Sequence, residues 1–322
     1  QGRISIDGGP YTETMPIIHM LDKIYQYQDH TSHSFNITIQ YPFYSEDAFK
    51  PEQLLMSVED DHLVEAQVNS QQLEPNRQGW WIDVSMGQYD IAPLIQSGEN
   101  TIMLTYNVPA VENTVDISRV FETERNRFFY PVEPDVVILC GKFDVATDGD
   151  IEKGIPHYKV KSSHFRLAEW SSKTMGDITP QGMWFYRGDA QYTFFIKKPP
   201  KNRRIELEFQ GVSGSCIEWQ VGKSTGVLFQ NSLTLDITDF LTQDETPVVV
   251  RVKGTNRNLF GPHHHIKGEP AMVGPSTFQG SFGFEDFVSP DIRCGITWTD
   301  DYHFAPFGME DIFVREYEVT ND

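Results

Sequence analysis

From Ser34 onward the chain settles into a two-residue rhythm, and that rhythm limits the fold more than any other feature. Phe35, Ile37, Ile39 and Tyr41 alternate with Asn36, Thr38 and Gln40. One face of this stretch is apolar and the other polar, which is the pattern of a half-buried strand. Residues 54–58, 63–68, 80–84 and 101–107 predict further strands, with Ile102, Leu104 and Tyr106 sharing one face of the last. The second half repeats the order. Tyr192, Phe194 and Ile196 alternate, then Ile205, Leu207 and Phe209, and residues 216–221 and 248–252 follow as strands.

The two halves can be laid on each other. Tyr89-Asp90-Ile91 through Leu94-Ile95 matches Leu235-Asp236-Ile237 through Phe240-Leu241, and Ala66-Gln67-Val68-Asn69 parallels Trp219-Gln220-Val221-Gly222. The period is about 145 residues, which fits duplicated domains rather than solenoid units. Short strands with turn signals every 8–12 residues point to sandwiches or jelly rolls, and no long helices alternate with strands. The expectation is an all-β protein of two tandem β-sandwich (jelly-roll) domains. Residues 1–34 would form a linker with a helix over 15–27, spaced by Ile17, Ile18, Leu21, Ile24 and Tyr25. The first module would span 35–110. A connector over 111–134, helical near 117–128, would lead to a larger second module over 135–322, with a long loop at 254–293.

Charge narrows the partners. Lys and Arg total 26 against 46 Asp and Glu, a net −20 that repels phosphate backbones and anionic membranes. Neither nucleic acid nor membrane is expected as a partner, and no apolar run approaches the ~20 residues of a membrane span. Cys140, Cys216 and Cys294 are far apart and odd in number, so they read as small core residues rather than a disulfide framework or metal set. The start, Gln1-Gly2-Arg3, has neither an initiator Met nor an apolar leader, and reads as a processed or excised chain. A soluble protein is expected, with secretion and the cytoplasm equally compatible.

The repeated element resembles the galactose-binding-like, sugar-binding jelly rolls of bacterial glycoside hydrolases. It is carried by Val68-Asn69-Ser70, Tyr89-Asp90-Ile91-Ala92-Pro93-Leu94 and Gly98-Glu99-Asn100-Thr101. The second copy has Val221-Gly222-Lys223 and Leu235-Asp236-Ile237-Thr238-Asp239-Phe240-Leu241, with Asp244-Glu245-Thr246 where the first has Gly98-Glu99-Asn100. Three further stretches resemble the C-terminal regions of large hydrolases of the family 2-like and α-L-rhamnosidase-like kinds: Val137-Ile138-Leu139-Cys140-Gly141-Lys142-Phe143, Gln181-Gly182-Met183-Trp184-Phe185-Tyr186-Arg187-Gly188 and Ala305-Pro306-Phe307-Gly308-Met309, the last before a closing strand over 312–319. The resemblance implies an accessory region whose partners are carbohydrate and a catalytic domain of the same polypeptide or complex. A purely structural or oligomerisation module and a self-contained glycoside hydrolase are the alternatives.

Hydrolysis of a glycoside needs two carboxylates across one bond. Glu59-Asp60-Asp61, Asp300-Asp301 and Glu310-Asp311 are candidates, but adjacent acids in a strand face opposite ways. No Gly-x-Ser-x-Gly elbow occurs, so no catalysis is expected from this chain alone. Sugars stack apolar faces on aromatic rings flanked by polar groups. Trp80, Trp81, Trp170, Trp184, Tyr186, Trp298 and Tyr302 are candidate platforms, with Trp298 foremost because its surroundings are polar. One of Trp80 and Trp81 should face outward. The run Gly254-Thr255-Asn256-Arg257-Asn258-Leu259-Phe260-Gly261-Pro262-His263-His264-His265 predicts a loop whose Asn256, Asn258, His263, His264 and His265 could meet sugar. Consecutive histidines seldom converge on one ion, so no metal and no cofactor is expected there. Asp144, Asp148 and Asp150 could serve a structural calcium or equally a solvated turn.

Overall fold

The computed structural model describes residues 1–110, 132, 136–154, 157–161, 164–229, 233–261, 263–264 and 299–318. The strands in chain order are β1 (Arg3–Ile6), β2 (Phe35–Ser45), β3 (Leu54–Glu59), β4 (Leu63–Val68), β5 (Gln71–Gln72), β6 (Gly79–Trp81), β7 (Asp83–Asp90), β8 (Gly98–Val108), β9 (Ile138–Gly141), β10 (Phe143–Thr147), β11 (Ile151–Lys153) and β12 (Tyr158–Val160). They continue as β13 (Phe165–Glu169), β14 (Gly176–Asp177), β15 (Ala190–Lys197), β16 (Arg203–Gln210), β17 (Ile217–Val221), β18 (Ser224–Leu228), β19 (Thr234–Asp236), β20 (Glu245–Val252), β21 (Tyr302–Phe304), β22 (Gly308–Met309) and β23 (Asp311–Glu318). Helix α1 covers Ile17–Asp29. The all-β expectation holds, and each of two compact units is a sandwich.

The first unit holds Gln1–Ala146 and Phe165–Trp170. One sheet runs β10-β13-β2-β8-β4-β5, with β1 also on β2, and the other runs β6-β7-β3-β9. Ile37, Ile39, Ile102, Leu104 and Val68 of the first sheet share one core with Leu54, Met56 and Val58 of the second. Burying each such side chain is worth about 1.5–3 kcal/mol, so the interleaved faces hold the sheets together. Residues 1–34 form no linker: β1 pairs β2 from Arg3↔Gln40 to Ile6↔Ile37, and α1 sets Met20 and Ile24 into the same core. The unit also reaches past the expected boundary at 110, because β9 pairs β3 and β13 runs parallel to the end of β2. The expected helix at 117–128 lies outside the described residues.

The second unit holds Thr147–His164 and the described residues from Ser171 onward. Its main sheets are β15-β20-β17-β18 and β19-β16-β23, with smaller pairings β11-β12-β21 and β14-β22. Val248, Val250 and Val252 pack with Ile205, Leu207 and Phe209 in its core. The closing strand expected at 312–319 is β23, paired with β16. Cys140 in β9 and Cys216, just ahead of β17, are half-buried rather than core; Cys294 lies outside the described residues.

Strand for strand, the sheets correspond. β2-β8-β4-β5 matches β15-β20-β17-β18, and β7-β3-β9 matches β19-β16-β23. The register agrees as well: Val68 pairs Ile102 as Val221 pairs Val248, and Met56 pairs Tyr89 as Leu207 pairs Leu235. The matched turn is the same object twice. Ile91 and Ile237 are fully buried, and their N–H groups donate to Leu54 O (2.8 Å) and Ile205 O (2.9 Å). Ahead of each, an aspartate carboxylate accepts the N–H two residues on, Ala92 from Asp90 (3.1 Å) and Thr238 from Asp236 (3.0 Å). The hairpin residues Asn69 (φ 51°) and Gly222 (φ 57°) both take the left-handed conformation that a two-residue β-turn needs.

One expected strand is two. Residues 80–84 break at Ile82, whose φ of 68° reverses the chain between β6 and β7. A β-branched residue there is strained, and its apolar character hides the turn from a pattern reading.

Candidate functional site

The aromatic and histidine residues singled out in the second unit gather into one layer, but they pack on one another. Trp184 is fully buried, edge-on to Tyr158 at 5.9 Å and against Phe304 at 5.2 Å. Tyr302 stacks on Phe304 at 5.9 Å and meets His264 at 4.3 Å. Both amide atoms of buried Asn258 are committed to the backbone of Ala305, at 2.8 Å each. His264 Nδ1 lies 3.0 Å from Thr299 O, and His263 Nδ1 lies 3.3 Å from His303 O. Burial pulls the His263 imidazole down to about 4 and lowers His264 as well, so both rings are neutral near pH 7. These side chains tie Asn258, His263 and His264 to β21 and to the residues that flank it. Asn256 is exposed, its carbonyl accepting from Phe260 (2.9 Å) at the one-turn helix Arg257–Phe260. Tyr186 is half-buried, its hydroxyl on Asp189 O at 3.2 Å. Trp170 is exposed in the first unit. Trp298 and His265 lie outside the described residues. Among the described residues no group of three or more His, Cys, Asp or Glu could hold a metal ion.

A different arrangement stands in the first unit. Trp80 is 58% exposed on β6, while Trp81 is half-buried. Trp80 pairs directly with Gly87, which pairs with Val58 on the far side of β7. Directly opposed residues share a face, so Trp80 projects on the same side as Val58, Gly87 and Tyr89, at the open edge of the sandwich. Asp60 continues that face beyond β3, its N–H on Ser85 O at 3.2 Å. Its Oδ2 accepts from Tyr89 Oη at 2.8 Å and lies 3.5 Å from Arg77 Nε. Burial and the bond to Asp60 push the Tyr89 phenol up to about 12, so it remains a donor.

Arg77 pins the edge. Its Nε donates to Gly79 O at 3.0 Å and its Nη2 donates to Val84 O, which ties the ends of β6 and β7 together. Gly87 makes the space: a Cβ there would overlap Asp60 Oδ2 and meet Arg77 Nε at 3.0 Å. The strained Ile82 closes the hairpin one residue past Trp81. The result is an exposed indole beside a carboxylate and a guanidinium. Among the described residues Asp60 Oδ1 and Arg77 Nη1 have no protein partner.

Of this group the sequence marks Trp80 as a platform and Asp60 only as one acid in a run. It does not mark Arg77, Gly87 or Tyr89 as site residues. The outward Trp80 is legible from alternation, but Gly87 and Asp60 meet only through the β3–β7 pairing. The second unit supplies a comparison of what the fold requires here. By register, Asp60, Gly87 and Tyr89 correspond to Gly211, Leu233 and Leu235. Leu233 and Leu235 are ordinary apolar neighbours of the second core.

No protein-family model matches the chain, and no curated protein does. Solved structures do. A rhamnosidase from Novosphingobium sp. PP1Y aligns over 89% of this chain and 22% of its own, at 13% identity and a TM-score of 0.28. A β-D-mannosidase from Dictyoglomus thermophilum aligns over 79% of this chain and 30% of its own, at 7% identity and 0.31. An α-L-rhamnosidase from Streptomyces avermitilis, complexed with L-rhamnose, aligns over 71% and 23%, at 12% identity and 0.23. The chain spans less than a third of the length of each of these glycoside hydrolases. At such scores the likeness carries no functional assignment. Among the described residues no helix is long and apolar enough to cross a membrane.

Proposed function

We propose that this chain is a non-catalytic carbohydrate-binding region of a larger glycoside hydrolase, and that it binds sugar at Trp80. The observation that carries the reading is the polar corner of the first unit. An exposed indole stands beside Asp60, Arg77 and Tyr89, where the matching positions of the second unit are Gly211, Leu233 and Leu235. The sandwich is complete with apolar residues there, so folding alone does not call for the polar set. An aromatic face with fixed donors and acceptors at its rim is the chemistry that takes a pyranose. The sequence motifs resembling hydrolase accessory regions support a catalytic domain as the partner.

Glycan-array screening followed by calorimetry on the full chain tests this. Sugar binding that falls at least tenfold in Trp80→Ala, with the melting curve unchanged, is the expected result. No glycan bound across the array would overturn the reading. Loss in Trp298→Ala with Trp80→Ala unaffected would move the site to the second unit.

A further inference from the structure

The atoms left unclaimed at the Trp80 corner define what class of sugar fits it. We infer that the site takes a neutral pyranose through a vicinal pair of hydroxyls and discriminates against uronic and other acidic sugars. This rests on the carbohydrate-binding reading of the same site. Asp60 spends Oδ2 on Tyr89 and on the approach of Arg77, which leaves Oδ1 as an acceptor. Arg77 spends Nε and Nη2 on Gly79 O, Asp60 and Val84 O, which leaves Nη1 as a donor. Because Asp60 Oδ2 and Arg77 Nε are 3.5 Å apart, the free acceptor and the free donor belong to adjacent groups. A hydroxyl can both donate and accept, so two neighbouring hydroxyls satisfy this pair at once: one donates to Asp60, and the other accepts from Arg77. A carboxylate, which only accepts, satisfies half of it, and a lone hydroxyl would have to meet both groups with one oxygen. The ring face then lies on Trp80.

Charge sets the exclusion. Asp60 and Arg77 neutralise each other at close range, and the chain around them is acidic: Glu59 and Asp61 flank Asp60, Asp83 follows the hairpin turn, and the whole chain carries −20. A ligand carboxylate would meet Arg77 only by placing a second anion beside Asp60. Two carboxylates on one guanidinium repel, and partial burial of Asp60, 14% exposed at its side chain, weakens solvent screening of that repulsion.

The test is calorimetric titration of the full chain with methyl glycosides of glucose, galactose and mannose, their monodeoxy analogues, and methyl glucuronide, galacturonide and mannuronide. The expected result is binding of at least one neutral glycoside. Removing one hydroxyl of the pair should weaken that glycoside at least tenfold, and its uronide counterpart should bind at least tenfold more weakly than the neutral sugar. In Asp60→Asn the carboxylate charge is gone, so the neutral-over-acidic preference should shrink or invert. Arg77→Lys removes the free Nη1 without removing the charge, and should weaken the neutral sugar while keeping the preference. If no glycoside binds, the carbohydrate reading itself fails. If glycosides bind and Trp80→Ala abolishes it, but uronides bind equally or deoxy analogues lose nothing, then the reading stands and this inference is overturned. The ligand panel on the parent chain decides the matter even if Asp60→Asn does not fold.

Discussion

The two sandwiches share a frame and differ at one corner of it. In both, a buried isoleucine follows a capping aspartate and hangs from the facing strand by its N–H: Ile91 from Leu54, Ile237 from Ile205. In both, a left-handed residue turns the hairpin, Asn69 or Gly222. These repeated features are what the fold demands. The features that do not repeat are of two kinds. The first unit places Asp60, Gly87 and Tyr89 beside an exposed Trp80. The second unit fills those positions with Gly211, Leu233 and Leu235, and instead buries histidines against β21. A difference between matched positions of one frame is informative because the packing requirement is held constant. It separates residues kept for folding from residues kept for something else.

The strongest way to break the comparison is to strike the shared frame. Ile91→Ala and Ile237→Ala each empty a fully buried site beneath a matched turn. Each should cost about 2–5 kcal/mol, and the two costs should agree to within about 1 kcal/mol. Denaturant melts with hydrogen exchange resolved by unit would measure both. Strongly unequal costs would mean that the turns are alike in hydrogen bonding but not in packing.

Acid should separate the units next. Burial lowers both His263 and His303 to about 4, and His303 also feels His157, Lys159 and Arg257, with Asp301 opposing them. Both ring nitrogens of His303 are buried with no hydrogen-bond partner among the described residues. Such rings take up a proton more weakly folded than unfolded. The stability they contribute is therefore present above about pH 6.5 and is lost as pH falls toward 4, on the order of 3 kcal/mol for each. The second unit should lose protection in this window before the first, as read by hydrogen exchange at pH 7, 5.5 and 4.5. His303→Phe should flatten the dependence. A first unit that opens earlier would contradict the expectation.

A smaller effect is expected at the hairpin. Asn69 donates to Leu94 O and Asn100 Oδ1, and accepts from Thr101 N at 2.9 Å, while Gly222 has no side chain to do so. Asn69→Gly should relieve a left-handed non-glycine yet lose three bonds, a net cost of about 1–2 kcal/mol. A thermal melt suffices to read it, and no change would show that the first unit needs this network no more than the second does.

How far the sequence exposes all this depends on the range of the interaction. The duplicated strands and the matched Asp90 and Asp236 turns are directly legible, because a two-residue period and a local capping bond are written in neighbouring residues. The role of residues 1–34 is hidden, since the pairing of Arg3 with Gln40 and the burial of Met20 are long-range. Ile82 reads as strand because its side chain is β-branched and only its φ shows the turn. The polar corner is hidden for a related reason. Asp60 and Tyr89 are 29 residues apart, and nothing between them announces that they touch. The loop histidines draw attention through composition, yet composition cannot tell an imidazole aimed at solvent from one bonded to the backbone of β21.

The smallest stability change should come from the most extensive substitution. Asp60→Gly, Gly87→Leu and Tyr89→Leu together install the second unit's residues in the first. Made singly, two of these are costly. Asp60→Gly strands the half-buried Tyr89 hydroxyl and leaves Arg77 without its carboxylate, about 1–3 kcal/mol. Gly87→Leu drives a side chain into Asp60 Oδ2. Made together, they remove donor and acceptor at once, and the leucine introduced by Gly87→Leu can occupy the space the carboxylate leaves. The triple variant should therefore lie within about 1 kcal/mol of the parent, a coupling that a mutant cycle reads directly. Sugar binding should be gone in the same protein. A triple variant as damaged as the sum of its parts would show that the polar set is structural in the first unit after all. The correspondence with Gly211, Leu233 and Leu235 would then say nothing about function.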